Sequence, residues 1–272
     1  MTGGLGGIGR EVAKKLAKAG AIFIVIDRLK IGNKGLRNYF QSANVYFFSA
    51  EVNNANKISV LVKKIYKKFG RIDIVVNCAG LIGAIGEFHS NNFSDWTNTL
   101  SVNFLGTVNV CHAALPFLLK KKQGKIINFA GGGAVRPFPN FSAYASSKAA
   151  VVRFSENLAK EYQDFNIQVN AVAPGVITTK LVDDLLKAGK EKVGAFYFKK
   201  TLADKARGGD DPKQAADLVV FLCSTQNKLT GKLVSAKWDG WEQFSRKSVA
   251  KLNRTSEYTL RRIDNKYFYE SR

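Results

Sequence analysis

The chain has 272 residues, 46% of them hydrophobic, with three cysteines and a formal net charge of +21. That length suits one large α/β domain or two small ones, and no uninterrupted apolar run approaches the roughly 18 residues of a membrane span. Cys78, Cys111 and Cys223 are isolated, which argues against a disulfide framework and a thiolate zinc site and suits a reducing cytoplasm.

The N-terminus does not carry the basic-then-apolar pattern of a secretory signal. The positive charge falls in short clusters such as Lys63/Lys64/Lys67/Lys68 and Lys120–Lys122. These read as solvated helix faces, and no interleaving of basic and aromatic residues points to a nucleic-acid groove.

Residues 2–9 read TGGLGGIG and lead into an amphipathic helix over Arg10–Lys18 with Val12, Leu16 and Ala17 inward. A glycine-rich turn entering a helix is how α/β proteins seat a pyrophosphate: backbone N–H groups and the helix N-terminus face the negative charge. Ile22–Ile26 reads as a buried strand, and Asp27 at its end stands where a carboxylate takes the adenosine ribose hydroxyls. A carboxylate there repels a 2′-phosphate and favours NAD over NADP, although Arg28 next to it pulls the other way.

The alternation continues. Val45–Phe48 predicts a strand, Asn56–Phe69 a helix, Ile72–Val76 a strand ending in NCAG, and Trp96–Leu119 one long helix. Lys125–Phe129 predicts a strand and Ser142–Tyr162 a helix. Ile167–Val172 is a strand leading to Pro174-Gly175, Pro212–Cys223 a helix, and Leu233–Ala236 a last strand. Strands alternating with helices of this length argue for a three-layer, doubly wound parallel sheet, the Rossmann arrangement. The expected division is one domain over 1–241 followed by a basic C-terminal extension, 242–272.

Tyr144 and Lys148 lie four residues apart on the Ser142–Tyr162 helix, on one face. An ammonium beside a phenol favours phenolate and is expected to lower the tyrosine pKa, making a group able to exchange a proton with an alcohol oxygen. His112 stands mid-helix without ligand partners at metal spacing, so no metal site is expected.

Taken in order, TGGLGGIG (2–9), Asp27, NCAG (77–80), SVNFLG (101–106), YASSK (144–148) and NAVAPGVITT (170–179) resemble the classical short-chain dehydrogenase/reductase family over roughly residues 2–240. The resemblance implies an NAD(P)-dependent oxidoreductase acting on a secondary alcohol or ketone, usually a homodimer or homotetramer. Tyr144 would be the acid/base, Lys148 would hold the nicotinamide ribose, and Asn103 would support a proton-relay water. Gly3, Leu5, Gly6, Gly7, Ile8 and Gly9 would form the pyrophosphate turn. Glu51 and Val52 would flank adenine, Asn77, Ala79 and Gly80 would line the ribose path, and Pro174, Gly175, Ile177 and Thr179 would meet the nicotinamide. The ending WDGW (238–241) with YTLRRI (258–263) and the GGGA loop is similar to bacterial members associated with surface polysaccharides, with Arg261 and Arg262 available for substrate phosphates.

Three departures from that family stand out. The apolar strand that normally precedes the glycine turn is missing from the sequence, which opens at Met1-Thr2. The expectation is a start lying upstream or a truncated product, with a sheet split between two unpaired inner edges. The family serine is replaced, its position falling on Ala130 or Gly131, with Ser142 or a glycine-loop N–H as possible substitutes. That loss opens an alternative reading, a cofactor-binding scaffold with little turnover. Cys78 replaces an asparagine, with a structural effect only expected.

Overall fold

The computed structural model describes residues 1–30, 35, 40 and 44–261. Among the described residues six parallel strands form the sheet: β1 (Phe23–Asp27), β2 (Val45–Ser49), β3 (Ile74–Asn77), β4 (Gly124–Phe129), β5 (Ile167–Ala173) and β6 (Leu233–Ser235). β4 is buried at all six positions and β5 at six of its seven, as expected of parallel strands covered on both faces. Ile126 aligns with Val169 across that pair, and Ile74 aligns with Lys125 across β3 and β4.

Helices cover both faces. On one side α1 (Gly7–Lys18) brings Val12, Ala13 and Leu16 against the sheet. Residues of the helix Pro212–Cys223, among them Leu218 and Leu222, share its core cluster. On the other side α2 (Ala55–Phe69) supplies Ile58, Val62 and Ile65. Helix α2 begins at an Asn54 cap, whose side chain accepts the Lys57 N–H at 2.9 Å, and stops at Gly70 with φ +75°.

The helix expected over Trp96–Leu119 is interrupted. It runs as α3 (Phe93–Leu100), a π-helical turn (Ser101–Leu105) and α4 (Gly106–Lys121). Together, Phe93–Lys121 is long and apolar enough to cross a membrane by length and composition, a property that scanning for uninterrupted apolar runs misses. Its apolar side instead joins the core through Val110, Cys111, Ala114, Leu115 and Leu118. Helix α5 (Ser142–Glu161) carries Tyr144 and Lys148. Two further helices, α6 (Lys180–Val193) and α7 (Ala195–Ala206), precede α8 (Pro212–Cys223) and were not read from the sequence.

The sheet falls into a two-stranded part, β1–β2, and a four-stranded part, β3–β4–β5–β6. Among the described residues, backbone pairing by the first residues of the chain joins them. Thr2 bridges in parallel to both Ile26 and Asn77. Gly3 N–H donates to the Ile26 carbonyl, and Thr2 N–H donates to the Val76 carbonyl, each at 2.9 Å.

The described part of the expected basic extension, residues 242–261, packs back onto the fold. α9 (Arg246–Leu252) buries Val249 and Leu252 in the same cluster as Leu218 and Trp241. The Tyr258 carbonyl accepts the Leu233 N–H at 2.7 Å, tying this segment to β6.

Candidate active site

The N-terminal turns of α5 bring Tyr144 and Lys148 against the ends of β3 and β4. Lys148 is 5% exposed. Its Nζ donates to the Phe129 carbonyl at 2.9 Å and lies 5.8 Å from the centroid of the Tyr144 ring. The expected lowering of the tyrosine pKa is not what this arrangement produces. Burial pushes the Tyr144 hydroxyl up to about 12 and holds the Lys148 ammonium down at about 8. Desolvation disfavours both charged forms, and the ammonium donates to a carbonyl instead of facing the phenol oxygen.

Asn103 sits inside the π-helical turn and is fully buried. Its amide accepts the Leu81 N–H at 2.9 Å and donates to the Leu81 carbonyl at 2.9 Å and to Ser147 Oγ at 3.0 Å. Ser147 Oγ in turn donates to the Tyr144 carbonyl at 2.7 Å. Asn103 thus ties the segment after β3 to the first turn of α5. Ser147 was missed in the sequence, though its place three residues after Tyr144 was a usable signal. A Cβ on Gly80 would lie 3.2 Å from Asn103 Oδ1 and 3.4 Å from Lys148 Nζ. Gly80, Asn103 and Lys148 therefore meet at one point beside Tyr144.

The position facing the tyrosine hydroxyl is Gly131. A Cβ there would stand 2.7 Å from the Tyr144 oxygen, whereas Ala130 is buried in the core with Val152 and Ala171. Ser142 is committed elsewhere, its Oγ accepting from Trp96 Nε1 at 3.0 Å. The N–H groups of Gly131, Gly132 and Gly133 find no protein acceptor among the described residues. Phe138, Phe141 and Tyr197 pack together beside Tyr144, with Phe138 and Tyr197 centroids 4.7 Å apart. This aromatic wall was also not read from the sequence.

The glycine turn is built for close approach. Gly3 has φ +65°, and a Cβ on it would meet Ala79 N at 2.7 Å. A Cβ on Gly9 would lie 2.3 Å from the Gly3 carbonyl oxygen. Helix α1 starts after Gly6 with no side-chain cap and no acidic residue in its first turn, so its leading N–H groups stay available for an anion. Leu5 is buried and Ile8 half-buried behind the turn. The Asp27 carboxylate accepts the N–H groups of Leu5 and Leu29, each at 3.2 Å, which fixes it at the mouth of the turn.

Thr179 closes the other side: its methyl would lie 2.8 Å from a Cβ on Gly7. Ile177 is buried and bridges to Gly209, and Gly175, at φ +90° after Pro174, rests against the Asp210 carboxylate. Val52 is buried with its carbonyl taking Asn109 Nδ2 at 2.9 Å, and Glu51 beside it is exposed. These residues fit a dinucleotide, with free helix N–H groups for the phosphates and a carboxylate at the strand end.

Two residues do not reach that surface as expected. Asn77 turns its side chain inward, donating to Asn128 Oδ1 at 2.9 Å and to Cys111 Sγ at 3.3 Å, so only its backbone faces the cleft. Arg261 lies by Glu156, 3.9 Å away. Glu156 is twelve residues from Tyr144 along α5, about 18 Å at 1.5 Å per residue. Arg262 lies outside the described residues. Among the described residues no cluster of three or more His, Cys, Asp or Glu could hold a metal.

Known proteins agree with this geometry. The short chain dehydrogenase family profile matches residues 1–189. A 2,3-dihydro-2,3-dihydroxybenzoate dehydrogenase of Bacillus subtilis is 33% identical over 83% of this chain and 88% of its own length. Among solved structures, ElxO with NADP bound superposes with a TM-score of 0.75 at 28% identity, covering 86% of this chain and 94% of that one. An NAD+-bound xylitol dehydrogenase reaches 0.78 at 25% identity over 86% of this chain and 95% of that one. The chain belongs to the short-chain dehydrogenase family and is an NAD(P)-dependent oxidoreductase acting on CH–OH groups.

Proposed function

We propose that the protein interconverts a ring-bearing secondary alcohol and its ketone, a sugar or nucleotide sugar of the kind used in surface-polysaccharide synthesis, with NAD preferred over NADP. The observation that carries this reading is the meeting of Gly80, Asn103 and Lys148 beside the Tyr144 ring. The aromatic wall of Phe138 and Tyr197 supports a ring-shaped substrate, because a sugar ring presents its C–H face to such a surface. Asp27 supports NAD by opposing a second phosphate on the ribose. The functional unit is a cytoplasmic homodimer or homotetramer handling a small molecule. The reading of a cofactor-binding scaffold without turnover gains no support from a site whose acid/base, lysine and asparagine converge.

Bound nicotinamide supplies or receives the hydride; the protein's residues position it and handle the proton. Held at about 12, Tyr144 is protonated at neutral pH and donates its proton to the substrate oxygen as the ketone is reduced. Lys148, anchored on the Phe129 carbonyl, fixes that side of the pocket and takes the ribose hydroxyls. The free N–H groups of Gly131–Gly133 donate to the same substrate oxygen, the work a serine hydroxyl does in relatives. Asn103 holds the first turn of α5 in place through Ser147.

The test is a screen of the purified protein for NADH or NADPH turnover against nucleotide sugars, polyols and cyclic ketones, together with fluorescence titration by both cofactors. Turnover restricted to acyclic substrates removes the ring-substrate reading. NADPH binding as tightly as NADH removes the preference assigned to Asp27.

A further inference from the structure

The substrate side of the site holds one guanidinium that the mechanism above leaves unused. Arg136 is exposed, and its Nη2 lies 3.8 Å from where a Cβ on Gly132 would stand. Among the described residues no other side chain comes within 4 Å of that point, so the space over Gly132 is open and bounded by the guanidinium. Gly131, the preceding residue, is the position that faces the Tyr144 hydroxyl. Consecutive α-carbons stand about 3.8 Å apart, so this space adjoins the one in which Tyr144 meets the substrate oxygen.

Packing on both sides holds the arginine backbone in place. Two residues before it, Ala134 is buried with Val152. Two residues after it, Phe138 stacks on Phe141 with ring centroids 4.3 Å apart, and Pro137 between them narrows the backbone choices. The side chain, by contrast, has no partner. Arg71, Arg153, Arg207 and Arg261 each lie beside a carboxylate, and Arg246 donates to Gln226 Oε1 at 3.0 Å. Arg136 makes no ion pair or hydrogen bond among the described residues. A guanidinium presents several N–H donors in one rigid plane, a match for the oxygens of a carboxylate or phosphate.

We propose that Arg136 reads an oxyanion on the substrate, a phosphate or carboxylate attached to the ring that carries the reacting alcohol. This role rests on the ring-substrate reading proposed above and narrows it. Phe138 and Tyr197 take the apolar face of the ring, and Arg136, two residues from Phe138, takes the charge. The short step from Gly131 to Gly132 puts the anion on the ring itself and not at the end of a long chain. Neutral polyols and unsubstituted cyclic ketones then become poor ligands. Arg136 does the work expected of Arg261, which lies instead by Glu156.

The test uses the 272-residue protein saturated with NADH, so that the cofactor phosphates already occupy the glycine turn. Glucose 1-phosphate, glucuronate and glucose are titrated calorimetrically into wild type, Arg136→Gln, Arg136→Lys and Arg71→Gln. Both anions are expected to bind about ten- to a hundredfold more tightly than glucose. Arg136→Gln should erase the difference, and Arg136→Lys should keep part of it. Arg71→Gln removes the same charge from an exposed position ahead of β3, away from the site, and should change nothing. Phenylglyoxal labelling read by peptide mass follows the guanidinium directly: glucose 1-phosphate and inorganic phosphate should slow labelling of Arg136 and not of Arg71. Equal binding of anionic and neutral sugars, equal losses in Arg136→Gln and Arg71→Gln, or labelling of Arg136 that neither phosphate slows overturns the proposal. Protection of Arg136 by inorganic phosphate with no sugar bound would keep the anion site and remove the sugar ring. Turnover of neutral and anionic sugars alike, untouched by Arg136→Gln, would keep the ring substrate and remove the anion site.

Discussion

The two parts of the sheet are made of similar residues and packed very differently. β4 and β5 run as buried apolar strands paired on both edges, with Ile126, Val169 and Ile167 at 1% exposure or less. β1 is just as apolar in sequence, yet Ile24 is half-buried and Ile22, just ahead of it, exposed, because among the described residues its inner edge is paired where Met1–Gly3 passes and not beyond. Apolar composition marks which strands belong inside. Pairing on both edges decides which of them are fully removed from water.

The proposed acid/base lies on the four-stranded side, and the largest expected effect separates its chemistry from stability. Tyr144→Phe keeps the ring and the packing of α5 and removes the proton donor, so turnover should fall by about 10²–10⁴. Melting temperature and NADH affinity should hold. An unchanged kcat would remove Tyr144 from the mechanism. A melting temperature that drops with activity would show that the hydroxyl serves the fold instead.

Next in size is the packing contrast itself. Ile126→Ala empties a site with no exposure and should cost about 2–5 kcal/mol in chemical denaturation. Ile24→Ala, on a wall that already borders a cleft, should cost about 1 kcal/mol or less. Equal losses would mean that the seam is as tightly packed as β4.

A smaller effect tests the cofactor half carried by β1. Asp27→Asn removes the charge opposing a ribose phosphate and should shift the NADH to NADPH Kd ratio about tenfold toward NADPH, roughly 1.4 kcal/mol. No shift would place the discrimination elsewhere.

The smallest effect is a slope in pH. Burial holds the Cys111 thiol at about 12, against about 8.5 for an unfolded cysteine. Between those values the unfolded chain has lost a proton that the folded chain keeps, so this thiol makes stability fall as pH rises above about 8.5. Cys111→Ala should flatten the wild-type decline in melting temperature between pH 9 and 11. Identical slopes would show that the thiol ionises freely in the fold.

Much of this architecture was legible in the sequence, because parallel strands and the helices between them leave long apolar runs. β4, α5 and α8 fall within a residue of their expected bounds. The glycine turn, Tyr144 and Lys148 were legible as motifs. Other features depend on contacts between distant segments. The π-helical turn at Ser101–Leu105 shows no break in hydrophobic pattern. The direction of Asn77 is set by Asn128 and Cys111. Which of Ala130 and Gly131 meets the tyrosine is settled by how α5 docks. The tyrosine pKa differs from the expectation for a related reason: spacing on a helix does not show that the hydroxyl is buried away from water.

The few backbone bonds that Met1–Gly3 makes across the sheet have a consequence for how the molecule opens. β1 and β2 share core packing with Ile127 and Val172, but among the described residues their pairing with the other strands runs through those few bonds, so their amides should exchange with solvent hydrogen sooner than those of β4 and β5. Asp27 and the contact to Leu5 ride on that pair of strands, whereas Tyr144 and Lys148 do not. Cofactor, by gripping Asp27 and the glycine turn together, should therefore slow exchange most in β1 and β2, far from the atoms it reacts with.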